Sequence, residues 1–256
     1  NVKLNYAKGC TITESSPTSI AQAVSVAHNS DVILVAVGED FNWSGEAACR
    51  TDIRLPEAQR QLLKALKETG KPIALIVLSG RPLDLSWEDS QFDAILQAWF
   101  PGREGGNGIA DVISGEYNPS GRLVMSFPRN VGQIPIYYNH KNTGRPVDPA
   151  NPDVDYKSRY LDVATTPLYP FGYGLSYTTY AISDAKIDKS TMKSKNDKII
   201  VSATVENTGS MDGEMVVQLY VRDLVGSVTR PVKELKGFQK VALKAGESKT
   251  IAFKLS

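Results

Sequence analysis

Residues 31–60, DVILVAVGEDFNWSGEAACRTDIRLPEAQR, decide the fold of this chain. The stretch begins with apolar, mostly β-branched residues from Val32 to Val37, a pattern typical of a strand buried on both faces. Gly38 ends the strand. Pro56 and Glu57 then begin a helix, because proline fits the first helical turn and a carboxylate complements the positive helix N-terminus. Since open α/β sheets bind ligands beyond the carboxyl ends of their strands, we expect the functional site between this strand and helix.

The loop between this strand and helix carries carboxylates and an aromatic residue: Glu39, Asp40, Trp43 and Glu46. Carboxylates can transfer protons, which makes the loop a candidate catalytic segment. Glu39 follows the strand directly, so it can instead accept hydrogen bonds from backbone N–H groups of its own loop. We interpret Arg50 and Asp52 as a structural pair that steadies the loop.

Composition limits the class of protein. The chain has 256 residues, 41% hydrophobic and 22% charged, which is typical of a globular protein with a substantial core. A formal net charge of +1 argues against a nucleic-acid partner attracted through phosphates. No apolar stretch is long enough to span a membrane, so we expect no membrane partner. There is no signal peptide. A start at Asn1 without Met suggests a fragment that has lost any upstream targeting segment.

Few residues are available for metal or cofactor chemistry. Cys10 and Cys49 are too few for a zinc site or a disulfide framework; we favour two free thiols, with a single bridge left open. His28 and His140 lie far apart, so we expect no metal site and no Ser-His-Asp chemistry. The glycine-rich run 101–108 lacks the spacing of a phosphate or dinucleotide loop, and we attribute it to tight turning and close helix packing.

Residues 1–139 alternate helix-like and strand-like segments. Further strands are expected at 73–78, 94–100 and 123–127, and helices are expected after Ser16, over 56–68 and over 106–113. Strands separated by helix-length segments imply crossover connections. This part of the sequence therefore predicts an α/β domain with a mostly parallel sheet covered on both faces.

Two further parts follow. Residues 140–180 are polar, proline-rich and aromatic, and we expect a packed connector there. Residues 181–256 alternate apolar and polar side chains around turns at 207–209 and 245–247, which predicts a β-sandwich of fibronectin type III class. Only five or six strands fit in this length, so we expect the sandwich to be truncated.

Four motifs, in order along the chain, resemble glycoside hydrolase family 3. They are VGEDFNWSGEAACRTDIRLPEAQRQLLKAL, GKPIALIVLSGRPL, WFPGREGGNGIADVISGEYNPSGRLVMSFP and PLYPFGYGLSYT. The likeness continues through ENTG and RPVKELKGF, covers nearly the whole chain, and is greatest to the bacterial periplasmic β-glucosidases. The family implies an N-terminal barrel, a middle α/β sandwich and a fibronectin-like domain. Since a barrel needs about 250 residues, the chain resembles the last two parts alone.

This resemblance implies a function. The parent would be a retaining, exo-acting β-glucosidase that removes non-reducing-end β-D-glucosyl residues from β-glucosides or oligosaccharides, without metal or cofactor. It would be periplasmic or secreted. The barrel supplies the nucleophilic Asp, and the middle domain lends the acid/base Glu, which by motif is Glu46, with Glu39 as the competing candidate. Trp43 would either line the leaving-group site, since sugar faces pack on aromatic rings, or plug the surface between the domains.

The resemblance also implies properties of the fragment. Alone it should be inactive, because its nucleophile is absent, and Glu46 should be exposed. The alternative function is a stand-alone carbohydrate-binding or interaction module, and a third is a nucleotide-binding α/β protein. An exposed apolar surface on the α/β domain would favour the glycosidase fragment over both.

Overall fold

The fold is that of a computed structural model, which describes residues 2–148, 150–151 and 154–256. The chain divides into two compact units, and each unit has its own β-sheet structure. The first unit comprises residues up to 109 together with 126–136 and 161–168; the second comprises 110–125, 137–160 and 169–256.

Three parallel strands form the sheet of the first unit, in the order β1-β2-β3. They are β1 (Ile33–Gly38), β2 (Ile73–Leu78) and β3 (Ala94–Gln97). Helix α2 (Glu57–Lys67) lies between β1 and β2 in sequence, and helix α3 (Ser86–Gln91) lies between β2 and β3. Parallel neighbours require such crossover connections. The predicted α/β class and parallel sheet are therefore confirmed.

Helix α1 (Pro17–His28) begins where the sequence predicts. The Ser16 hydroxyl accepts the Ser19 N–H at 3.1 Å, and the Ser19 hydroxyl accepts the Ser16 N–H at 3.2 Å. This reciprocal cap satisfies two N–H groups that a helix start leaves without partners. Helix α4 (Gly105–Ser114) also matches its prediction, and Gly115 follows it at a φ of 81°.

Strand β1 is not buried on both faces, contrary to the prediction. Val35 and Val37 are 6% and 5% exposed, whereas Leu34 is 46% exposed. Leu34 lines an open groove, so its face of the strand is left uncovered, and β1 also lies at an edge of the sheet, with β2 as its only paired neighbour among the described residues. The apolar run predicted a strand correctly, but it could not indicate which face would be covered.

The strand predicted at 123–127 is also absent. Leu123 does pair locally, since its N–H donates to the Tyr173 carbonyl at 2.8 Å and its carbonyl accepts the Gly172 N–H at 2.7 Å. The backbone then bends at Val124 and Met125, so no regular ladder follows. Helix α3 had no prediction of its own.

Among its described residues, the second unit has five antiparallel strands: β4 (Tyr180–Ile187), β5 (Ile199–Asn207), β6 (Gly213–Val221), β7 (Glu234–Leu243) and β8 (Ser248–Leu255). One sheet has the order β4-β5-β8, and the other pairs β6 with β7. Their core consists of four buried residues, Val205, Val217, Leu243 and Ile251. The prediction of an antiparallel sandwich of fibronectin type is confirmed.

Asn207 organises the predicted turn at the end of β5. Its fully buried side chain accepts the Thr178 hydroxyl at 2.7 Å and donates to the carbonyls of Met211 and Leu243 at 2.7 and 3.2 Å. Aromatic residues of the second unit also pack on one another, with the rings of Tyr138 and Phe171 stacked at 4.3 Å.

No helix among the described residues has both the length and the apolar character needed to cross a bilayer. Cys10 and Cys49 are both free thiols, and Cys49 is exposed.

Candidate active site

The candidate site lies where β1 and β2 end. The Glu39 N–H donates to the Leu78 carbonyl at 2.9 Å, so the pairing of the two strands continues one residue beyond β1. Gly38 has a φ of 147°, and a Cβ at this position would lie 1.8 Å from the Leu78 carbonyl oxygen. Only glycine permits this close approach. Gly38 thus allows the close approach to β2, and the chain leaves the sheet after the Glu39 N–H has made this last contact.

Gln59 on α2 fastens the end of β1. Its amide oxygen accepts the Gly38 N–H at 2.8 Å, and its amide nitrogen donates to the Gly38 carbonyl at 2.8 Å and the Ile12 carbonyl at 3.1 Å. The side chain thus acts as a neighbouring strand would, and it satisfies buried backbone groups at an exposed edge.

Glu39 lies at the centre of a buried charge cluster. Its side chain is fully buried, and each carboxylate oxygen accepts from a different arginine. Arg50 Nη1 lies 2.7 Å from Oε1, and Arg81 Nε lies 3.2 Å from Oε2. A buried carboxylate requires such compensation, because burial of a charge without a partner is costly. We call Glu39, Arg50 and Arg81 the loop base.

The two arginines of the loop base hold both arms of the loop. Arg81 Nη2 donates to the carbonyl of Trp43 on one arm and to the carbonyl of Ala48 on the other, the latter at 3.2 Å. Arg50 Nη2 donates to the Arg54 carbonyl at 3.3 Å, and its guanidinium lies 4.8 Å from the centroid of the Trp43 ring. Each arm is therefore tied to the buried carboxylate through a guanidinium.

A tight turn, Gly45 to Ala48, forms what we call the loop tip. The Ala48 N–H donates to the Gly45 carbonyl at 3.3 Å, and Gly45 and Ala47 have φ values of 128° and 57°. Glu46 occupies the first corner of this turn and is exposed, as expected. Among the described residues, none forms a hydrogen bond or ion pair with its carboxylate. The tip therefore presents a free carboxyl group to solvent.

The expected pair of Arg50 and Asp52 is wrong in its partners. Arg50 binds Glu39, whereas Asp52 binds Arg54 through contacts of 2.6 and 2.9 Å. The hydrogen bonds from Arg54 hold the pKa of Asp52 well below its usual range. Arg50 does contact the loop, whereas Asp52 makes only a local, exposed contact with Arg54, and proximity in sequence did not identify the buried partner of Arg50.

Sequence reasoning missed Arg81 and Gln59. Arg81 follows β2, so its place at the same sheet edge as Glu39 was a usable signal, because the carboxyl ends of parallel strands meet there. Trp43 is half-buried beneath the Arg50 guanidinium, so that cation occupies one face of its ring. In the part of the chain that the structure describes, no cluster of His, Cys, Asp or Glu has the arrangement of a metal site.

An open apolar groove lies beside the loop in the first unit. Val32, Leu34, Phe41 and Phe100 all line it, and their exposed fractions range from 40% for Phe100 to 72% for Phe41. Contiguous exposed apolar residues of this kind commonly mark a surface that works against another part of a protein.

Family comparisons agree with this architecture. The model of the glycosyl hydrolase family 3 C-terminal domain matches residues 4–177. This chain belongs to glycoside hydrolase family 3. A fibronectin type III-like domain model matches residues 215–256, which lie in the antiparallel sandwich of the second unit of this family 3 chain. The resemblance carried by the four sequence motifs is thus confirmed.

Curated relatives extend well beyond this family 3 segment. The periplasmic β-glucosidase of Salmonella typhimurium is 52% identical over 249 residues, which cover 97% of this chain and 32% of that protein. A β-xylosidase of Formosa agariphila is 42% identical, over 100% of this chain and 34% of that protein. The crystal structure of a Listeria innocua β-glucosidase in complex with laminaribiose superposes with a TM-score of 0.91 at 44% identity, covering 96% of this chain and 34% of that one. The chain spans about a third of the length of these relatives.

Proposed function

We propose that this chain is the C-terminal part of a retaining, exo-acting β-glucosidase and that it supplies the acid/base residue Glu46 to a barrel domain elsewhere in the parent protein. Relatives named β-glucosidases share nearly the whole of this chain, and about two thirds of their length lies outside it. That remainder has room for the barrel and its nucleophilic Asp. The β-xylosidase relative makes β-xylosides a second substrate class to test.

One observation carries the assignment of Glu46: the contrast between the two carboxylates of the loop. Glu39 is fully buried, and each of its oxygens is paired with an arginine, so it has neither access to substrate nor a free oxygen for proton transfer. Glu46 is exposed at the first corner of the tip. A general acid has to reach the oxygen that it protonates, which favours Glu46.

The proposed reaction has two steps. In the first, an Asp of the barrel attacks the anomeric carbon while Glu46 gives its proton to the glycosidic oxygen, and the C–O bond to the leaving group breaks. In the second, the Glu46 carboxylate takes a proton from water as the water oxygen attacks the anomeric carbon and displaces the Asp. Glu46 is thereby protonated again, and the sugar is released with its original anomeric configuration.

The apolar groove beside the loop supports a role within a larger protein over a stand-alone binding module. Val32, Leu34 and Phe41 are costly to leave in water, and contact with another domain of the parent would cover them. We further propose that the parent is periplasmic or secreted, since the Salmonella relative is named a periplasmic enzyme.

The chain alone should not hydrolyse β-glucosides, because the nucleophile lies elsewhere in the parent. The purified chain would be incubated with an activated aryl β-glucoside and product release followed over hours. Activity that survives further purification and disappears in a Glu46→Gln variant would contradict the proposal. Titration calorimetry of the same sample with cellobiose and laminaribiose tests the binding-module alternative, which predicts measurable heat.

The acid/base assignment is tested in the parent protein, with residues numbered as in this chain. Glu46→Gly should lower kcat for an activated aryl β-glucoside by about 10²–10⁴-fold, because water lacks its base in the second step. Azide needs no base, so it should restore turnover and yield a β-glucosyl azide. Glu39→Gly is the matched variant. If azide rescues Glu39→Gly and not Glu46→Gly, the acid/base residue is Glu39.

A further inference from the structure

The loop base holds the tip from within the protein. Arg81 makes three contacts through one planar guanidinium: its Nε binds the Glu39 carboxylate at 3.2 Å, and its Nη2 binds two backbone carbonyls, those of Trp43 and Ala48. The Trp43 carbonyl lies two residues before the Gly45–Ala48 turn, and the Ala48 carbonyl lies at its end. The guanidinium therefore spans the base of the segment that carries Glu46, as a clip spans the two arms of a loop.

The clip is itself immobilised. The Arg81 side chain is 19% exposed, and the Glu39 carboxylate that orients it is fully buried and also bound by Arg50 at 2.7 Å. A guanidinium with a fixed plane and several donors holds such a geometry, whereas a lysine ammonium is a single flexible point of charge. The position of both carbonyls is thus set by a group that cannot turn freely.

Close packing beneath the loop gives a second, independent constraint. Gly80 immediately precedes Arg81, and a Cβ at Gly80 would lie 2.2 Å from the Ser44 Oγ and 2.9 Å from the Phe100 ring. Gly80 does not have a positive φ, so this restriction is steric and does not come from the backbone conformation. The arm that contains Ser44 therefore rests directly on the residue before the clip.

We propose that Arg81, held by Glu39, is a positioning residue. It fixes Glu46 in the position from which Glu46 protonates the leaving group. This inference rests on the proposed function of Glu46. Arg81 does not touch the substrate; it acts on the carbonyls that bracket the tip. A displacement of about 1 Å can cost a factor of 10² in rate, so release of either arm would impair the proton transfer that depends on Glu46.

The test compares leaving groups in the parent protein. An alkyl β-glucoside needs its departing oxygen protonated, whereas a dinitrophenyl β-glucoside does not. Arg81→Lys should therefore lower kcat/KM for the alkyl glucoside by roughly 10–10²-fold and leave kcat/KM for the dinitrophenyl glucoside within about twofold. Azide should raise kcat for the dinitrophenyl substrate, because the second step also uses Glu46. Gly80→Ala, which moves Ser44 without changing any charge, should give the same pattern more weakly.

Arg54→Lys is the matched control, because Arg54 lies on the same loop but its side chain is 55% exposed and bound to Asp52. It should behave as the wild type with both substrates. Equal losses for both substrates in Arg81→Lys, or no loss, would overturn the positioning role. Glu46→Gly distinguishes the two hypotheses: if it shows the leaving-group pattern and Arg81→Lys does not, only the clip fails. If Glu46→Gly lacks the pattern, the proposed function fails.

Discussion

The base and the tip of one loop differ in almost every physical respect. At the base, Glu39 is fully buried and each oxygen is bound by an arginine; at the tip, seven residues later, Glu46 is exposed and bound by none of the described residues. The same side-chain chemistry is thus suited to two different purposes. A carboxylate whose oxygens are both occupied stabilises structure, whereas a free carboxylate on a rigid support is available for proton transfer.

The largest expected effect separates the two carboxylates by stability. Glu39→Gln removes the charge that compensates Arg50 and Arg81, and a buried pair broken in this way costs about 3–5 kcal/mol of unfolding free energy. Glu46→Gln should change this free energy by less than about 0.5 kcal/mol, as exposed substitutions usually do.

Urea denaturation followed by tryptophan fluorescence measures this difference for the first unit alone. All three tryptophans, Trp43, Trp87 and Trp99, belong to that unit, so the second unit does not contribute to the signal. Equal changes for the two variants would show that the burial of Glu39 does not govern the stability of the loop base.

A second test extends the comparison to the strand that carries the loop. Gln59→Leu leaves the N–H and carbonyl of Gly38 without their side-chain partner. We expect the free energy of unfolding, measured by urea denaturation, to fall by about 1–3 kcal/mol. Gln61→Leu is the control on the same helix, since Gln61 is exposed and water can replace its contact with Ser15. A loss as large in the control would mean that helix α2, and not the strand end, is the sensitive element.

Another buried carboxylate sharpens the comparison through pH. Glu88 is 1% exposed, but its nearest cation, Arg60 Nε, lies 3.5 Å away, and burial raises the pKa of Glu88. The unfolded chain then releases this proton at a lower pH than the folded one. The stability that the folded chain gains from protonated Glu88 is therefore fully present below about pH 4.3, the ordinary pKa of glutamate. This stability declines as pH rises above that value.

Glu88→Gln should consequently gain stability relative to the wild type between about pH 4.3 and pH 7. Glu57→Gln is the control for removal of a glutamate charge without burial, because its side chain is 62% exposed. The same urea and fluorescence measurement at several pH values tests both variants. A constant difference between Glu88→Gln and the wild type across this range would exclude proton uptake by Glu88 on folding.

Prediction from sequence succeeded where local chemistry decides the structure. Ser16, Pro17 and Ser19 determine the start of α1, and Gly38 determines the end of β1, because the reasons for each lie within a few residues. The expectation that Glu46 is exposed in the loop after β1 also holds. The acid/base role of Glu46 is a proposal, which the azide experiment tests.

Prediction failed where contacts between distant residues decide. Arg81 stands 42 residues from Glu39; its place after β2 indicates the shared sheet edge, but no local pattern identifies Glu39 as its partner. The sequence pairs Arg50 with its neighbour Asp52. In the structure Arg50 binds Glu39, because a buried carboxylate is more costly to leave unpaired than an exposed one. The exposed face of β1 has the same origin, because the apolar composition of a strand does not record its position in the sheet.

The smallest expected effect concerns the tip itself. Ala47 has a φ of 57°, a conformation that costs an L-residue about 1–2 kcal/mol, whereas glycine pays about 0.5–1 kcal/mol in chain entropy. Ala47→Gly should therefore stabilise the first unit by at most about 1.5 kcal/mol. Ala48→Gly is the matched control: Ala48 has no positive φ, so only the entropic cost remains and the sign should reverse. If both variants destabilise, the loop base imposes the turn whatever residue occupies it, and the strain at Ala47 is not relieved by glycine.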